Sequence, residues 1–472
     1  MELPETMAQE LIALNAKIWD YAELKFEEIR SAQAMIEVLE RHGFTVQRGV
    51  PHMPTAYIAE YGSGKPIIGI LAEYDALSGL SQVAGIAEEK SREGCTNGHG
   101  CGHCLLGTAA VGAGLLLKEY LAAHPGSGTV RVYGCPAEEG GSGKTYLARE
   151  KAFDDVDAAL TWHPGTQNEI MVGSNQANIQ AAFFFKGRAA HAAAAPQNGR
   201  SALDAVELMD IGVNYMREHM ADYDRVHYAV LDTGGVSPNV VQPHAQVLYL
   251  IRSKTNAETK VLYERVKKIA QGAALMTETE LSVRFDKACS NLIPNKVLGQ
   301  VVYDAMEAVG TPKRTETEKA YIRSFQKTVG EERVLTDPGM APFPDPELRQ
   351  ELIAKDPYGE FLLPYRPTNA VVMGSSDTGD VSYVTPLCQF SAACFAIGTA
   401  AHSWQWVAQD KDSVAVNGCL FAAKVLAKAA ETLYQQPELV QAARQELTKR
   451  LGGHPYVCPI PPDVFPRGYT KE

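Results

Sequence analysis

The segment Gly100-Cys-Gly-His carries a thiol and an imidazole two residues apart, directly before a predicted helix of small residues. Thiolate and imidazole groups, here those of Cys101 and His103, both bind zinc and similar divalent ions. The positive end of the helix would favour the thiolate form that binds metal. A buried cysteine beside a capping histidine explains this segment equally well when the segment is taken alone.

Cys101 and Cys104 also have the spacing of a dithiol redox motif at the start of a helix. A thioredoxin-like domain would place a strand directly before that motif, whereas the stretch before Cys101 is polar and rich in glycine. This context argues against a thioredoxin-like domain, but the Cys101/Cys104 spacing keeps a dithiol oxidoreductase open as an alternative from a different functional class.

Two adjacent glutamates, Glu138 and Glu139, follow a predicted strand. Neighbouring side chains just past a strand point in different directions, so one carboxylate can bind metal while the other acts as a general base toward water. The following Gly143-Lys-Thr resembles the end of a phosphate-binding loop, but Glu138 occupies the position of a required glycine and would repel phosphate. An acidic surface loop is the alternative interpretation.

Further candidates lie elsewhere in the chain. His163 and His402 each follow a strand or a turn of small residues, where a single histidine is more often a packed core residue. Asp75 is placed to orient a ligand by accepting a hydrogen bond from an imidazole. Together, a Cys, His, Glu, His, His set with Glu138 as base favours metal-assisted hydrolysis.

The elements that must position these residues are predicted strands at 66–72, 129–134 and 158–162. The first is a continuous apolar run, which is typical of a strand buried on both faces of a mostly parallel sheet. Each strand ends in polar residues, and ligands bind at the carboxyl edge of such sheets. The pattern therefore predicts one α/β sheet whose edge carries the site, with amphipathic helices over residues 5–42.

The length of 472 residues exceeds the roughly 250–300 residues at which one core stops growing, so two domains are expected. Residues 177–286 alternate strand and helix as β-α-β-α-β, which predicts a small α+β layer inserted into the first domain. Residues 312–368 are rich in proline and charge and are predicted to form a long excursion or a lid.

Composition excludes several classes of protein. The net charge of −12 argues against general affinity for nucleic acid or anionic membranes. We find no run of about 18 apolar residues, so we expect no membrane span. The N-terminus lacks the pattern of a signal peptide, and nine scattered cysteines fit reduced thiols, so we expect a cytoplasmic protein.

The motifs named above resemble those of the M20 family of metallopeptidases and amidohydrolases, over nearly the whole chain. The Cys-Gly-His form is similar to the aminoacylase and auxin-conjugate-hydrolase branch. The resemblance implies a catalytic α/β domain with a mixed, mostly parallel sheet flanked by helices, formed by residues 1–175 and 292–472. It also implies an inserted ferredoxin-like α+β domain at 176–291 that serves as lid and dimerisation domain. The segments that carry the resemblance are Glu73-Tyr-Asp-Ala-Leu, Gly100-Cys-Gly-His, Pro136-Ala-Glu-Glu-Gly-Gly, Thr161-Trp-His-Pro, Lys186-Gly-Arg-Ala-Ala-His-Ala and Ala401-His-Ser-Trp-Gln.

The same resemblance implies roles for individual residues. Two divalent ions, zinc or manganese, would be held by Cys101, His103, Glu139, His163 and His402. Glu138 matches the general base of the family, and Asp75 matches the aspartate that orients a metal ligand. In the predicted lid, His191 would reach into the site of a partner protomer, where it would polarise the scissile carbonyl, and Asn239 and Arg252 would meet the substrate's carboxylate.

The resemblance further implies hydrolysis of amides of the form acyl–NH–CH(R)–COO⁻. The first candidate substrate is p-aminobenzoyl-glutamate, a folate breakdown product, which would give p-aminobenzoate and glutamate. Indole-3-acetyl-aspartate and other N-acyl amino acids are the alternatives. A homodimer or a heteromer with a related A-type chain is expected, and a non-catalytic metal-binding protein stays open. Two positions depart from the family pattern: Cys104 replaces an Asp or Asn, and Glu73 stands where many members have a metal-binding His.

Overall fold

The computed structural model describes residues 2–468. Within that range the α-helices are α1 (Glu5–Tyr21), α2 (Ile29–Arg41), α3 (His103–Ala123), α4 (Gly143–Arg149), α5 (Ala202–Met216), α6 (Asn256–Thr277), α7 (Lys296–Val309), α8 (Glu316–Val329), α9 (Glu331–Leu335), α10 (Pro346–Lys355), α11 (Thr378–Val384), α12 (Trp404–Gln409), α13 (Ser413–Gln435) and α14 (Pro437–Leu451). The strands are β1 (Thr45–Val50), β2 (Met53–Ser63), β3 (Ile67–Ala72), β4 (Leu77–Ser78), β5 (Asn97–Gly98), β6 (Gly128–Gly134), β7 (Ala158–Gly165), β8 (Glu169–Ile170), β9 (Ser174–Asn175), β10 (Ala177–Lys186), β11 (Arg225–Asp232), β12 (His244–Ser253), β13 (Glu280–Cys289), β14 (Val371–Val372) and β15 (Leu387–Ala393).

A seven-stranded mixed sheet forms the centre of the molecule, in the order β1-β2-β6-β3-β7-β15-β8. Its four middle strands, β6, β3, β7 and β15, are parallel, and the outer pairings are antiparallel. Every residue of β3, β7 and β15 is buried, as expected for strands covered by helices on both faces. The predicted fold class, a mixed and mostly parallel sheet flanked by helices, is confirmed.

Helices α1, α2, α3, α7 and α13 pack on one face of this sheet and form the largest apolar core with it. Two of them, α3 and α13, are long and apolar enough to cross a membrane by length and composition alone. Most of each tested stretch is buried inside the protein, 83% for α3 and 72% for α13, which is the environment of a core helix.

A second sheet lies between residues 177 and 289, a region called here the insert. Its strands are antiparallel in the order β11-β12-β10-β13, and α5 and α6 pack on one face. The chain order is therefore β-α-β-β-α-β, as in ferredoxin-like layers. The predicted β-α-β-α-β pattern missed β11, an edge strand of which only Val226 is fully buried. The domain limits at 176–291 stay a prediction.

Two local expectations can be compared with the structure. The stretch 312–368, predicted to be a long excursion or a lid, contains α8, α9 and α10 and packs on the central domain through Asp337. His163 does not follow its strand but lies inside β7, which continues to Gly165 because β15 pairs with it over its whole length.

Candidate metal centre and active site

The predicted ligands come together at the carboxyl edge of the central sheet. Ligand atoms of Cys101, His103 and His163 lie within 4.8 Å of one another, and so do those of Cys101, Glu139 and His402. The two groups share the Cys101 sulfur, so all five side chains surround one small region. Glu73, His103 and Glu138 form a third group of the same kind. The structure therefore gathers residues up to 329 positions apart in the sequence, from Glu73 to His402.

The turn before α3 presents Cys101 and His103 to the same region. Gly102 has a φ of 71°, which a residue without a side chain adopts at no steric cost. A Cβ atom at this position would lie only 2.6 Å from Cγ of Pro164, which follows His163 in β7. The glycine thus allows the turn to sit against β7, and the Cys101 sulfur lies 3.4 Å from His163 Nε2.

Asp75, in the loop after β3, contacts two of the candidate ligands at once. One carboxylate oxygen lies 3.0 Å from His103 Nδ1, and the other accepts a hydrogen bond of 2.9 Å from the backbone N–H of Glu139. Asp75 and His103 are both buried, which fixes their geometry. The contact directs the second ring nitrogen of His103, Nε2, toward the cluster, which is the geometry that the orienting role predicted for Asp75 would require.

The backbone before the glutamate pair is strained and is held by a buried carboxylate. Ala137 has a φ of 60°, unusual for a residue with a side chain. Its N–H donates to the buried carboxylate of Glu28 at 2.9 Å. This turn places Glu138 in the third group and Glu139 in the second, so the adjacent glutamates take up different positions around the cluster.

His402 reaches the cluster from a loop that lies between β15 and α12. Its φ is also left-handed, 59°, and its N–H donates to the carbonyl of Gly100 at 2.7 Å. The ring nitrogen Nε2 then lies 3.4 Å from Glu139 Oε1. About half of the His402 side chain is exposed, so this side of the cluster opens to solvent.

The charges of the cluster depend on one another. Burial and the charge of Glu139 raise the pKa of the Cys101 thiol. His163 and His103 lower it by a larger amount, so that the pKa falls to about 6. The neighbouring thiolate of Cys101 and carboxylate of Glu139 raise the pKa of His402 to about 11. Burial, together with Glu73 and Asp377, raises the pKa of Glu138 well above its ordinary value. A carboxylate with a raised pKa is suited to transfer protons near neutral pH.

The donor set fits divalent metal ions. Thiolate, imidazole and carboxylate together suit zinc and related ions. His103 Nε2 and Glu139 Oε1 are buried yet make no hydrogen bond of normal geometry within the described part of the chain. Buried polar atoms of this kind require a partner, and a bound cation would supply it.

One part of the site was not anticipated from the sequence. Lys144, fully buried in the first turn of α4, forms ion pairs with Glu73 Oε1 at 2.8 Å and with Asp377. Glu73 Oε2 in turn lies 3.2 Å from His103 Nε2. A lysine directly after a Gly-Ser-Gly run, at the start of a buried helix, was the available signal, but its partner Asp377 lies far away in the sequence.

The predicted substrate-binding residues of the insert do not belong to the three groups of candidate ligands. His191 and Asn239 are exposed on adjacent loops, where Ala192 N–H donates to the Asn239 carbonyl. Arg252 is half-buried on β12 and donates to Ser375 Oγ at 2.7 Å. Burial lowers the pKa of Arg252 below its ordinary value, although the charges of Cys289 and Glu138 raise it.

The cysteines give little support to the redox alternative. All nine are free, and seven are buried. Cys104 lies on the core side of α3, and burial, followed by the charge of Asp410, raises the pKa of its thiol well above the ordinary value. A dithiol motif needs an accessible thiolate, so this geometry argues against an oxidoreductase that uses Cys101 and Cys104.

Known proteins resemble this chain along most of its length. It is 46% identical over 458 residues to the B-type component of p-aminobenzoyl-glutamate hydrolase from Escherichia coli (strain K12), with 95% of this chain and 94% of that protein covered. It is 27% identical to the A-type component of the same hydrolase, covering 61% of this chain and 68% of that protein. The crystal structure of a dinuclear metal-binding M20 peptidase from Bacillus subtilis covers 90% of this chain and 98% of its own, with 16% identity and a TM-score of 0.54, and so shares the fold.

The family profile agrees with these similarities. The profile described as Peptidase family M20/M25/M40 matches residues 69–464, which include most of the central sheet, the insert and every candidate ligand. The family predicted from the motifs is thereby confirmed, and the chain belongs to peptidase family M20/M25/M40.

Proposed function

We propose that this protein is a metal-dependent amidohydrolase that cleaves p-aminobenzoyl-glutamate to p-aminobenzoate and glutamate. The observation that carries the proposal is the convergence of five candidate ligands beside a further carboxylate, that of Glu138. These ligands are Cys101, His103, Glu139, His163 and His402. The substrate is inferred from the 46% identity to the B-type component of the E. coli hydrolase, over nearly the full length of both chains.

Two divalent ions, zinc or manganese, would be held by these five side chains, with Cys101 common to both groups. When bound, such ions polarise the scissile carbonyl and make water more acidic. Asp75 keeps His103 and Glu139 in position through its two oxygens. The Lys144 ammonium offsets part of the negative charge that Glu73 and Asp377 bring close to the centre.

Glu138 is the general base in this proposal. Its carboxylate takes a proton from the attacking water and later returns that proton to the nitrogen of the leaving amine. A raised pKa helps both transfers, because the group then holds the proton long enough to deliver it.

The insert supplies recognition. Arg252 and Asn239 would bind the carboxylate of the amino-acid part of the substrate, and His191 would polarise the carbonyl in the site of a partner protomer. The exposure of His191 fits a residue that acts across an interface between protomers. A homodimer provides that interface, as does a heteromer with an A-type chain, which the similarity to both components of the E. coli hydrolase favours.

We place the enzyme in the cytoplasm.

The test is hydrolysis of p-aminobenzoyl-glutamate by the chain alone and mixed with an A-type chain, with Mn²⁺ or Zn²⁺ present. Glu138→Gln keeps the shape of the side chain and removes the base, so we expect activity to fall by about 10²- to 10⁴-fold. The variant should bind as much metal as the wild type, measured by elemental analysis. Near-full activity in the variant would reject Glu138 as the base, and no hydrolysis by either wild-type preparation would reject the substrate.

A further inference from the structure

A cavity of about 390 Å³ lies beside the active centre, between the edge of the central sheet, the insert and the C-terminal segment. Four cationic side chains line this cavity, those of Lys25, Arg284, Lys287 and Arg467. The ionisable acidic residues that line it are Asp286 and Glu139, and Glu139 directs its carboxylate to His402. An excess of cations here stands out in a chain whose net charge is −12.

The cavity adjoins the residues of the proposed reaction. Lys287 Nζ donates to the carbonyl of Glu139 at 3.0 Å, and Lys25 Nζ donates to the carbonyl of Gly140 at 3.2 Å. These carbonyls belong to the two residues that follow Glu138. An anionic group in the cavity would therefore lie close to an amide bond held at Glu138.

The strand pairing of the insert gives the distance between this cavity and Arg252. On β10, Gln180 pairs with Lys287 of β13 on one side and with Leu250 of β12 on the other. Arg252 lies two residues beyond Leu250 and so shares its face of the sheet. With strands about 4.8 Å apart and a rise of about 3.3 Å per residue, the backbones of Arg252 and Lys287 are roughly 12 Å apart. Their long side chains can reach two carboxylates of one small molecule.

The cations are close enough to influence one another. Burial lowers the pKa of Lys25, Asp286 raises it, and the neighbouring charges of Lys287 and Arg284 lower it. Like charges held near one another are stabilised by an anion placed among them.

We propose that this cavity binds a second carboxylate of the substrate, distal to the one at Arg252, and so selects amide conjugates of acidic amino acids such as glutamate. The proposal rests on the proposed function, which it extends from the reaction to the choice of substrate. It assigns Arg284 and Arg467 as specificity residues, because they line the cavity, whereas Lys25 and Lys287 also hold the loop after Glu138.

The test is the double variant Arg284→Gln/Arg467→Gln, assayed with p-aminobenzoyl-glutamate and p-aminobenzoyl-glutamine. The two compounds differ only in the charge of the side chain. We expect kcat/KM for the glutamate compound to fall by about 10- to 100-fold, as for loss of charge-assisted hydrogen bonds, and kcat/KM for the glutamine compound to stay within about twofold. Lys268→Gln, on the exposed surface of α6, is the control for loss of a surface cation outside the cavity and should change neither value.

Equal losses for both compounds, or no loss for the glutamate compound, would overturn the proposal. If the wild type cleaves neither compound, the proposed function fails, and calorimetry then decides about the cavity. Glutarate should bind the wild type about tenfold more tightly than butyrate, and the double variant should lose that difference. Equal binding of the two acids to the wild type would reject the second-carboxylate site.

Discussion

The carboxyl edge of the central sheet and the open face of the insert are built in different ways. At the sheet edge, Asp75 and His103 are buried, and Ala137 and His402 hold left-handed backbone conformations against their steric cost. On the insert, His191 and Asn239 are exposed, and Arg252 is held by its contact with Ser375. This contrast indicates that the groups we propose for chemistry are positioned before substrate arrives. The groups we propose for recognition are left open for substrate and for a second protomer.

The sharpest test of a prebuilt, buried centre is the substitution Lys144→Met. The variant leaves the carboxylates of Glu73 and Asp377 buried without their cation, so we expect the free energy of unfolding to fall by about 3–5 kcal/mol. Urea denaturation measures this loss. Adding Glu73→Gln should restore part of it, because one of the two uncompensated charges is then removed.

The matched control for Lys144 is Lys355→Met, which breaks an exposed ion pair with Glu351 on α10. Exposed pairs of this kind contribute about 0.5 kcal/mol or less. Equal effects of the two substitutions would show that the pairing of Lys144 adds nothing, and the contrast between the two regions would then lose its energetic basis.

The recognition side is tested by Arg252→Gln. If Arg252 binds the substrate's carboxylate by a charge-assisted hydrogen bond of about 1.5–3 kcal/mol, KM should rise by roughly 10- to 150-fold while kcat changes little. Steady-state kinetics separates the two constants. The p-aminobenzoyl amide of a simple alkylamine, which has no carboxylate, should be cleaved equally by both enzymes. A fall in kcat with unchanged KM would instead place Arg252 in the chemistry.

The two regions should also respond in opposite senses to pH. In the insert, burial raises the pKa of Asp210 to about 6 even though the hydroxyl of Tyr249 lowers it. A raised pKa means that the folded protein favours the protonated form of Asp210. The resulting stabilisation of the folded state is complete below the ordinary pKa of 3.8 and is lost as pH rises through 6. We expect a loss of about 1–2 kcal/mol, because the Tyr249 hydroxyl still donates to the Asp210 carboxylate once it has ionised.

Asp210→Asn cannot ionise and tests that expectation. The difference in unfolding free energy between the wild type and the variant should change between pH 4 and 7, with the wild type losing stability as pH rises. At the sheet edge, His402 and His103 outweigh burial and lower the pKa of Glu139 to about 2, so its stabilisation is lost only in acid. Parallel stability curves for wild type and Asp210→Asn would contradict the assignment in the insert.

Much of the site could be predicted because strand ends are visible in a sequence. Glu73 and Asp75 follow β3, and the glutamate pair follows β6, so parallel pairing alone brings them to one edge. The ion pair of Lys144 with Asp377 could not be predicted, since it joins residues 233 positions apart through helices packed on the sheet. Strand β11 was also missed, although residues 226–231 are mostly apolar; only the pairing with β12 places them at an exposed edge of a sheet.

The sequence by itself determined the family, the fold class and the kinds of ligand atom, because motif residues and buried strands leave local patterns. Tertiary structure decided where each of the adjacent glutamates lies in the cluster, through the strained turn at Ala137 and its bond to Glu28. It also decided that a lysine neutralises Glu73 and that cations gather in a cavity beside Glu139. These features depend on contacts between distant segments, and such contacts exist only once the chain is packed.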